Sequence, residues 1–543
     1  MKLHWDQGTI WYLFRLCVQR RNVERGTQND KKGKFRKTIK CLHNITDWSA
    51  ESSDVHQHWP RLIGGLRNEI ELHSYYVPKQ PRKGFQFQVR SRTRKWIAVR
   101  NAAWGDHQQH VTSESWEKYR LRNKVTKLVK EDKQKHQTQI IRKMKQNPKL
   151  LYQIVNNQPK VKPGVSPLQI SEGTTATASA AAEELANFYS TVFCPKECVT
   201  LKLHPLLSST DTLQDMTVNA GSVLLILLCL NTKKSPGADE ITLLILKQCA
   251  RSLYTSLTDL VNLSLNCSMV PMDWKCGTIT PIFKGGDRSD VSNYRPVTLL
   301  PVISKVLERL VTNKLTKHLE GNIIPSIAQR GFRKSHSCLS NLLLTLDDWT
   351  LAIDNGNPIH ACYLDMSKAF DRANHSILLQ KLKQHGITSK LLAWLENYLM
   401  DRVIQVRIDG TLSKPVAVTS VVFQVSVLGP TLFLIYVNDI PNLVRCKIIL
   451  FAEDIKLWAS IRTSEDRVLL QEDLNALYEW SLRNKLPFNF QKCKMLNVGK
   501  CVEFTYTLGP HRLAWNTDEK DLGVWISSSL KTSLQCTAVY KRN

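Results

Sequence analysis

Lys447 to Trp458 reads KIILFAEDIKLW, and few folds accommodate it. Two apolar arms meet at Glu453 and Asp454, which predicts a hairpin with the acidic pair at its turn. There both carboxylates reach solvent and a cation. A second acidic island, Asp365 in Tyr363 to His375 (YLDMSKAFDRANH), follows the strand-like run Ala361 to Leu364 and precedes a polar break and a helix from about Ser376. A carboxylate flanked by Leu, Ile and Phe is costly to bury unless something cationic meets it, and two or three converging carboxylates suit a divalent metal. That is the chemistry of two-metal phosphoryl and nucleotidyl transfer. Each island alone also has a plain structural use, as a helix N-cap after a strand or as a solvated hairpin tip.

The chain of 543 residues has apolar content for a sizeable core and length for several domains. Its formal charge is +28, and residues 1 to 150 hold 33 Lys and Arg against 13 Asp and Glu, so +20 sits in the first quarter. A polyanion is the natural partner. Trp96, Trp104 and Trp116, interleaved with Arg92, Arg94, Lys95 and Arg100, add aromatic faces that stack on bases. The fourteen cysteines are scattered without zinc-like Cys/His spacing and read as reduced, in the nucleus or cytoplasm. Asp6 and Arg15 interrupt any secretory signal, and the longest apolar run, Val223 to Leu230, is too short for a bilayer and reads as a buried helix.

Residues 1 to 110 show no sustained period and read as a basic leader. From Trp116 to Tyr152, apolar residues at three- and four-residue steps predict a basic amphipathic helix ending near Asn147-Pro148. A polar stretch around Pro163 to Gly173 reads as linker, followed by an Ala-rich helix from about Ala180. Ile279 to Leu310 predicts a strand, a turn at Gly285-Gly286, and a helix burying Val302, Ile303, Val306, Leu307 and Leu310. Alternation over Ile404 to Ile408, then Asp409-Gly410, then Val416 and Val418 predicts a second hairpin with a longer loop.

The order of the segments is more specific than any one of them. KKSPGADEI, PIFKGGD, NYRPVTLLPVISKVLERL, QRGFRKSHSC, YLDMSKAFDRANH, VTSVVFQVSVLGPTLFLIYVNDI, LFAEDIKLW, LPFNFQKCKMLNVG and DLGVWI together resemble the reverse transcriptase of non-LTR, LINE-type retrotransposons of the jockey-like kind, over about Trp116 to Ile526. The resemblance implies an α+β right-hand polymerase with palm and fingers over 231–500, after a helical linker region at 111–230 and before the start of a shortened thumb at 501–543.

It implies RNA-directed DNA synthesis from an RNA template, a DNA primer or target and deoxynucleoside triphosphates. Asp365, Glu453 and Asp454 would hold two Mg²⁺ ions, with Mn²⁺ as a substitute. Lys284 and Arg295 match residues that meet the triphosphate, and Phe370 matches the bulky residue that excludes a ribose 2′-OH. Gln424 matches a glutamine against nucleotide and template, and Lys494 lies in the segment that supplies a basic residue behind the site.

The chain also departs from the family. Glu453 stands where an aspartate is usual, and its extra methylene disturbs a site in which Mg²⁺ demands near-octahedral geometry. Val421, Phe423 and Val425 replace Gly, Pro and Gly, a β-branched side chain being a poor substitute where backbone needs positive φ, and Ile455 replaces a commonly polar residue. These departures resemble the marks of a decayed genomic copy. The alternative reading is therefore a nucleic-acid-binding remnant without catalysis.

Overall fold

The computed structural model describes residues 54–73, 89–109 and 122–146, then 165–540 apart from breaks at 166, 171–172, 176, 195–211, 233, 235–236, 238, 240, 421, 424–425 and 500–503. The described residues form two compact units, 54–73 with 165–540 in one and 89–146 in the other.

The smaller unit pairs the helices Ser91–Gln109 and Arg122–Gln146. Asp132, on the second, accepts the Arg90 backbone N–H at 2.9 Å and the Thr93 hydroxyl at 2.7 Å, and so caps the start of the first. Lys124 sits 3.6 Å above the Trp96 ring, using that indole as an intramolecular cation partner. The expected helix end at Asn147-Pro148 and the aromatic Trp116 lie outside the described residues.

In the larger unit the strands are β1 Gln169–Ile170, β2 Gly173–Thr174, β3 Cys276–Phe283, β4 Tyr294–Leu299, β5 Ile359–Asp365, β6 Arg402–Ile408, β7 Thr411–Leu412, β8 Val416–Val418, β9 Lys447–Phe451, β10 Asp454–Ser460, β11 Lys494–Val498, β12 Thr507–Leu508, β13 His511–Arg512, β14 Ala514–Asn516, β15 Asp518–Asp521 and β16 Val524–Ser527. Two sheets matter for the site. One runs β14-β11-β5-β10-β9, and the other β4-β3-β6-β7 with β8 also on β6.

The first sheet is buried on both faces, which explains why its strands read as apolar runs. Cys362, Leu364, Leu450, Leu457 and Met495 face the main helical core, whereas Ile359, Ala361, Trp458, Leu496 and Val498 face the Cys338–Asp354 helix through Leu342, Trp349 and Ala352. The period of two therefore assigns Asp365 and Asp454, partners across the β5/β10 ladder, to the second face. The Val302–Gly321 helix buries all five apolar residues expected of it.

Four segments carry more structure, or bury less, than their sequence alone indicates. Within the stretch that shows no sustained period, the Val55–His73 helix puts Val55, Trp59, Leu62, Ile63 and Leu66 into the main core, with Trp59 edge-on to Trp274 at 5.0 Å. The polar stretch after Pro163 contains the ribbon β1/β2, and Leu168 beside it is fully buried against the Ala178–Val192 helix and the second sheet, because one large apolar side chain suffices to anchor a polar segment. The apolar run at 223–230 is helical from Ala220 to Leu228 but buries only Val223 and Leu227, leaving Leu225 63% and Leu228 38% exposed. Residues 504–527 continue the strand system through β14 in the first sheet and the β15/β16 hairpin.

Candidate polymerase active site

β5 ends at Asp365, whose backbone is pinned from the far side by the Asn489 N–H donating to the Asp365 carbonyl at 2.8 Å and the Ser367 N–H donating to Pro487 at 2.9 Å. β9 and β10 are joined by Ala452 and Glu453 alone, Phe451 pairing with Asp454, and Ala452 takes a left-handed φ of 58°. The hairpin thus delivers Asp454 directly opposite Asp365 and Glu453 at its tip.

Like charges directly opposed across a ladder repel, and these are also partly withdrawn from water. Burial pushes the Glu453 carboxyl up to about 7, with Asp454 and Asp365 adding to the rise and Arg295 and Lys492 opposing it. Burial likewise takes Asp454 up to about 6, with Asp365 and Asp521 contributing. Lys492 meets Asp365 Oδ2 through its Nζ at 2.8 Å, a half-exposed ammonium against a carboxylate 22% exposed.

A cavity of about 300 Å³ opens on this group. Lys284, at the end of β3, and Arg295, on β4 opposite Ile282, line it together with Asp365, Glu453 and Lys492. The turn that brings Lys284 and Arg295 to one wall is closed by the Lys284 N–H donating to the Asn293 carbonyl at 2.9 Å. Cations on one wall and carboxylates on the other fit a polyphosphate bridged by divalent ions. A second cavity of about 430 Å³, on the Asp454 side, is lined by Asp365, Lys492, Lys494, Lys520 and Asp521.

Three carboxylates offer hard oxygen donors whose mutual repulsion a divalent cation would relieve, so the donor set fits the metal that the chemistry requires. Among the described residues, no three Asp, Glu, His or Cys side chains already converge on one point as a metal cage.

Of the residues expected from the sequence, Asp365, Glu453, Asp454, Lys284 and Arg295 come together, while Gln424, with Val421 and Val425, lies outside the described residues. Lys494 opens β11 and lines the second cavity, whereas Lys492, not singled out in the sequence, touches Asp365. Phe370 is off the cavity wall: its ring stacks on Phe433 at 4.4 Å and is buried, while its neighbours Ala369 and Asp371 line the cavity. Apolar burial draws an aromatic ring inward. Asp371 was also missed; burial raises its carboxyl to about 6, against the pull of Lys368 and Arg295.

The structure sets a palm-like sheet with a carboxylate-bearing hairpin beside a cationic wall, and residues 282–525 match the family model for reverse transcriptase (RNA-dependent DNA polymerase). This chain carries that domain. Its relatives are transposon polymerases: it is 32% identical over 271 residues to the probable RNA-directed DNA polymerase from transposon BS of Drosophila melanogaster, covering 48% of this chain and 30% of that protein. It is 31% identical over 324 residues to the RNA-directed DNA polymerase from mobile element jockey of Drosophila funebris, covering 56% and 35%, and 30% identical over 269 residues to that of transposon X-element of Drosophila melanogaster, covering 48% and 30%. The chain spans about a third of the length of these relatives.

Proposed function

We propose that the chain is the RNA-directed DNA polymerase of a non-LTR retrotransposon, extending a DNA primer on an RNA template with deoxynucleoside triphosphates. The observation that carries this reading is the facing of Asp365 and Glu453, with Asp454 cross-strand, by Lys284 and Arg295 around one cavity. Asp365, Glu453 and Asp454 would hold two Mg²⁺ ions. Bound divalent ions acidify a coordinated hydroxyl and neutralise phosphate charge.

Around them the chain's own groups bind and orient. Arg295 offers a planar fork to two phosphate oxygens, and Lys284 a point charge. The primer 3′-oxygen then attacks the α-phosphorus in line, forming the O3′–P bond as the bond to the leaving pyrophosphate breaks. Lys492, whose Nζ is 2.8 Å from Asp365 Oδ2, would supply charge and a proton to the departing pyrophosphate, with Lys494 two residues further on. Gln424 would lean on nucleotide and template, and Phe370, beneath Ala369, would back the sugar subsite from the core.

Primer extension on an RNA template, with Mg²⁺ and separately with Mn²⁺, tests this. Product that disappears in Asp365→Asn supports it, and absence of product with either ion from a folded chain sinks it. The Lys492–Asp365 ion pair, which engages a carboxylate oxygen that a metal would use, favours a second reading, a nucleic-acid-binding remnant. Retained RNA binding without synthesis, and recovery of synthesis in Glu453→Asp, would select that reading and locate the lesion. Presence in the nucleus and cytoplasm belongs to the same proposal; among the described residues no helix is long and apolar enough to cross a membrane.

A further inference from the structure

We propose that Gln329, remote from the substrate cavity, is the positioning residue of the acidic turn, holding Ala452 in its left-handed conformation and so fixing where Glu453 and Asp454 point. The inference rests on the reading of those carboxylates as metal ligands.

A residue with a Cβ at positive φ is disfavoured and persists only where its surroundings hold it. Ala452 is such a residue, next to Glu453 in a turn whose carboxylates repel one another. What holds it comes from more than a hundred residues earlier in the chain. The Gln329 side chain is 3% exposed, and its Oε1 accepts both the Ala452 N–H at 2.9 Å and the Gly331 N–H at 2.8 Å. Its Nε2 donates to the Ala452 carbonyl at 3.4 Å, so one amide engages both backbone groups of the strained residue.

The segment carrying Gln329 is itself laid along β9. The Arg330 N–H donates to the Leu450 carbonyl at 2.8 Å, and the Leu450 N–H donates to Ala328 at 2.9 Å. Arg333 closes the segment on itself by donating to the carbonyls of Ser326 at 2.8 Å and Gln329 at 3.2 Å. Gly331 permits the approach, since a Cβ there would lie 2.3 Å from the Ala452 nitrogen, a backbone atom that cannot swing aside. The turn therefore has a fitted seat, in which the Gln329 side chain meets both the N–H and the C=O of Ala452.

The test uses the full chain and two variants, Gln329→Met, of similar volume without the amide, and Gln329→Asn, whose amide is drawn back by one methylene. Hydrogen exchange reads the Ala452 amide, and a Mn²⁺ titration followed by water-proton relaxation reads the carboxylates. We expect exchange at Ala452 to quicken about tenfold or more in both variants, with amides of β5 and β11 unchanged and the melting temperature within a few degrees. The Mn²⁺ midpoint should rise by roughly five- to tenfold, the effect of a metal site left loose by its supporting residues.

Unchanged exchange at Ala452 overturns the proposal. Faster exchange with an unmoved Mn²⁺ midpoint also overturns it, as does exchange that rises across the whole sheet, since either makes Gln329 structural only. A wild-type chain that binds no Mn²⁺ overturns the reading of the carboxylates and the positioning role with it, while the exchange data still report whether the seat holds the turn.

Discussion

Glu453 and Asp454 titrate well above ordinary carboxylates, and the sign of the consequence follows from which state binds protons. Unfolded, both ionise near pH 4; folded, they keep protons to about 7 and about 6, so the native state holds the extra protons between those limits. The pair therefore takes stability away as pH rises from about 4.5 to about 7. In chelator-treated protein the melting temperature of wild type should fall relative to Glu453→Gln across that interval, and saturating Mg²⁺ should abolish the difference. Parallel melting curves with pH in the two proteins would contradict the assignment. Asp365, Glu453 and Asp454 were legible in the sequence because a charge inside an apolar run is conspicuous at any distance. Lys492 and Gln329 were not, since a lysine in a polar loop or a lone glutamine acquires meaning only from partners 127 and 123 residues away.

Among elements, the strand–turn–strand of β9 and β10 and the Val302–Gly321 helix were readable because their burial follows their own periods. The Val55–His73 helix was not readable, because Pro60 and the surrounding basic chain break the pattern before its apolar residues can be followed. What no local pattern discloses is how elements are tied together. Lys456, two residues past Asp454, is buried and ion-paired to Asp521 of β15, with its Nζ also donating to Thr345 at 3.1 Å. Lys456→Ala should cost about 3–5 kcal/mol in denaturant unfolding, because it strands the Asp521 carboxylate, whereas Lys456→Leu combined with Asp521→Leu should sit much nearer wild type. Equal losses in the single and double variants would show that the pair holds no such link. At the same scale, Phe370→Ala should lose about 3–5 kcal/mol by emptying the stack on Phe433. A change confined to nucleotide selectivity would instead put the ring at the sugar.

For the whole molecule the decisive quantity is charge. A net +28 predicts that affinity for single-stranded RNA falls steeply with ionic strength, with log affinity linear in log salt at roughly −0.7 per phosphate neutralised. A fluorescence-anisotropy titration between about 50 and about 200 mM salt would show it; a flat response would mean that the basic residues serve the protein's own packing, as Lys124 on Trp96 does. The family was legible from nine ordered segments, whereas the division into units was not, because the smaller unit interrupts the sequence of the larger one.

The central strand of the first sheet has a consequence for synthesis. β5 is flanked by β10 and β11, both of which leave the ribosome after it. Until residue 498 has emerged, β5 of a nascent chain lacks at least one of its two flanking strands, so the sheet that carries Asp365 closes late in synthesis.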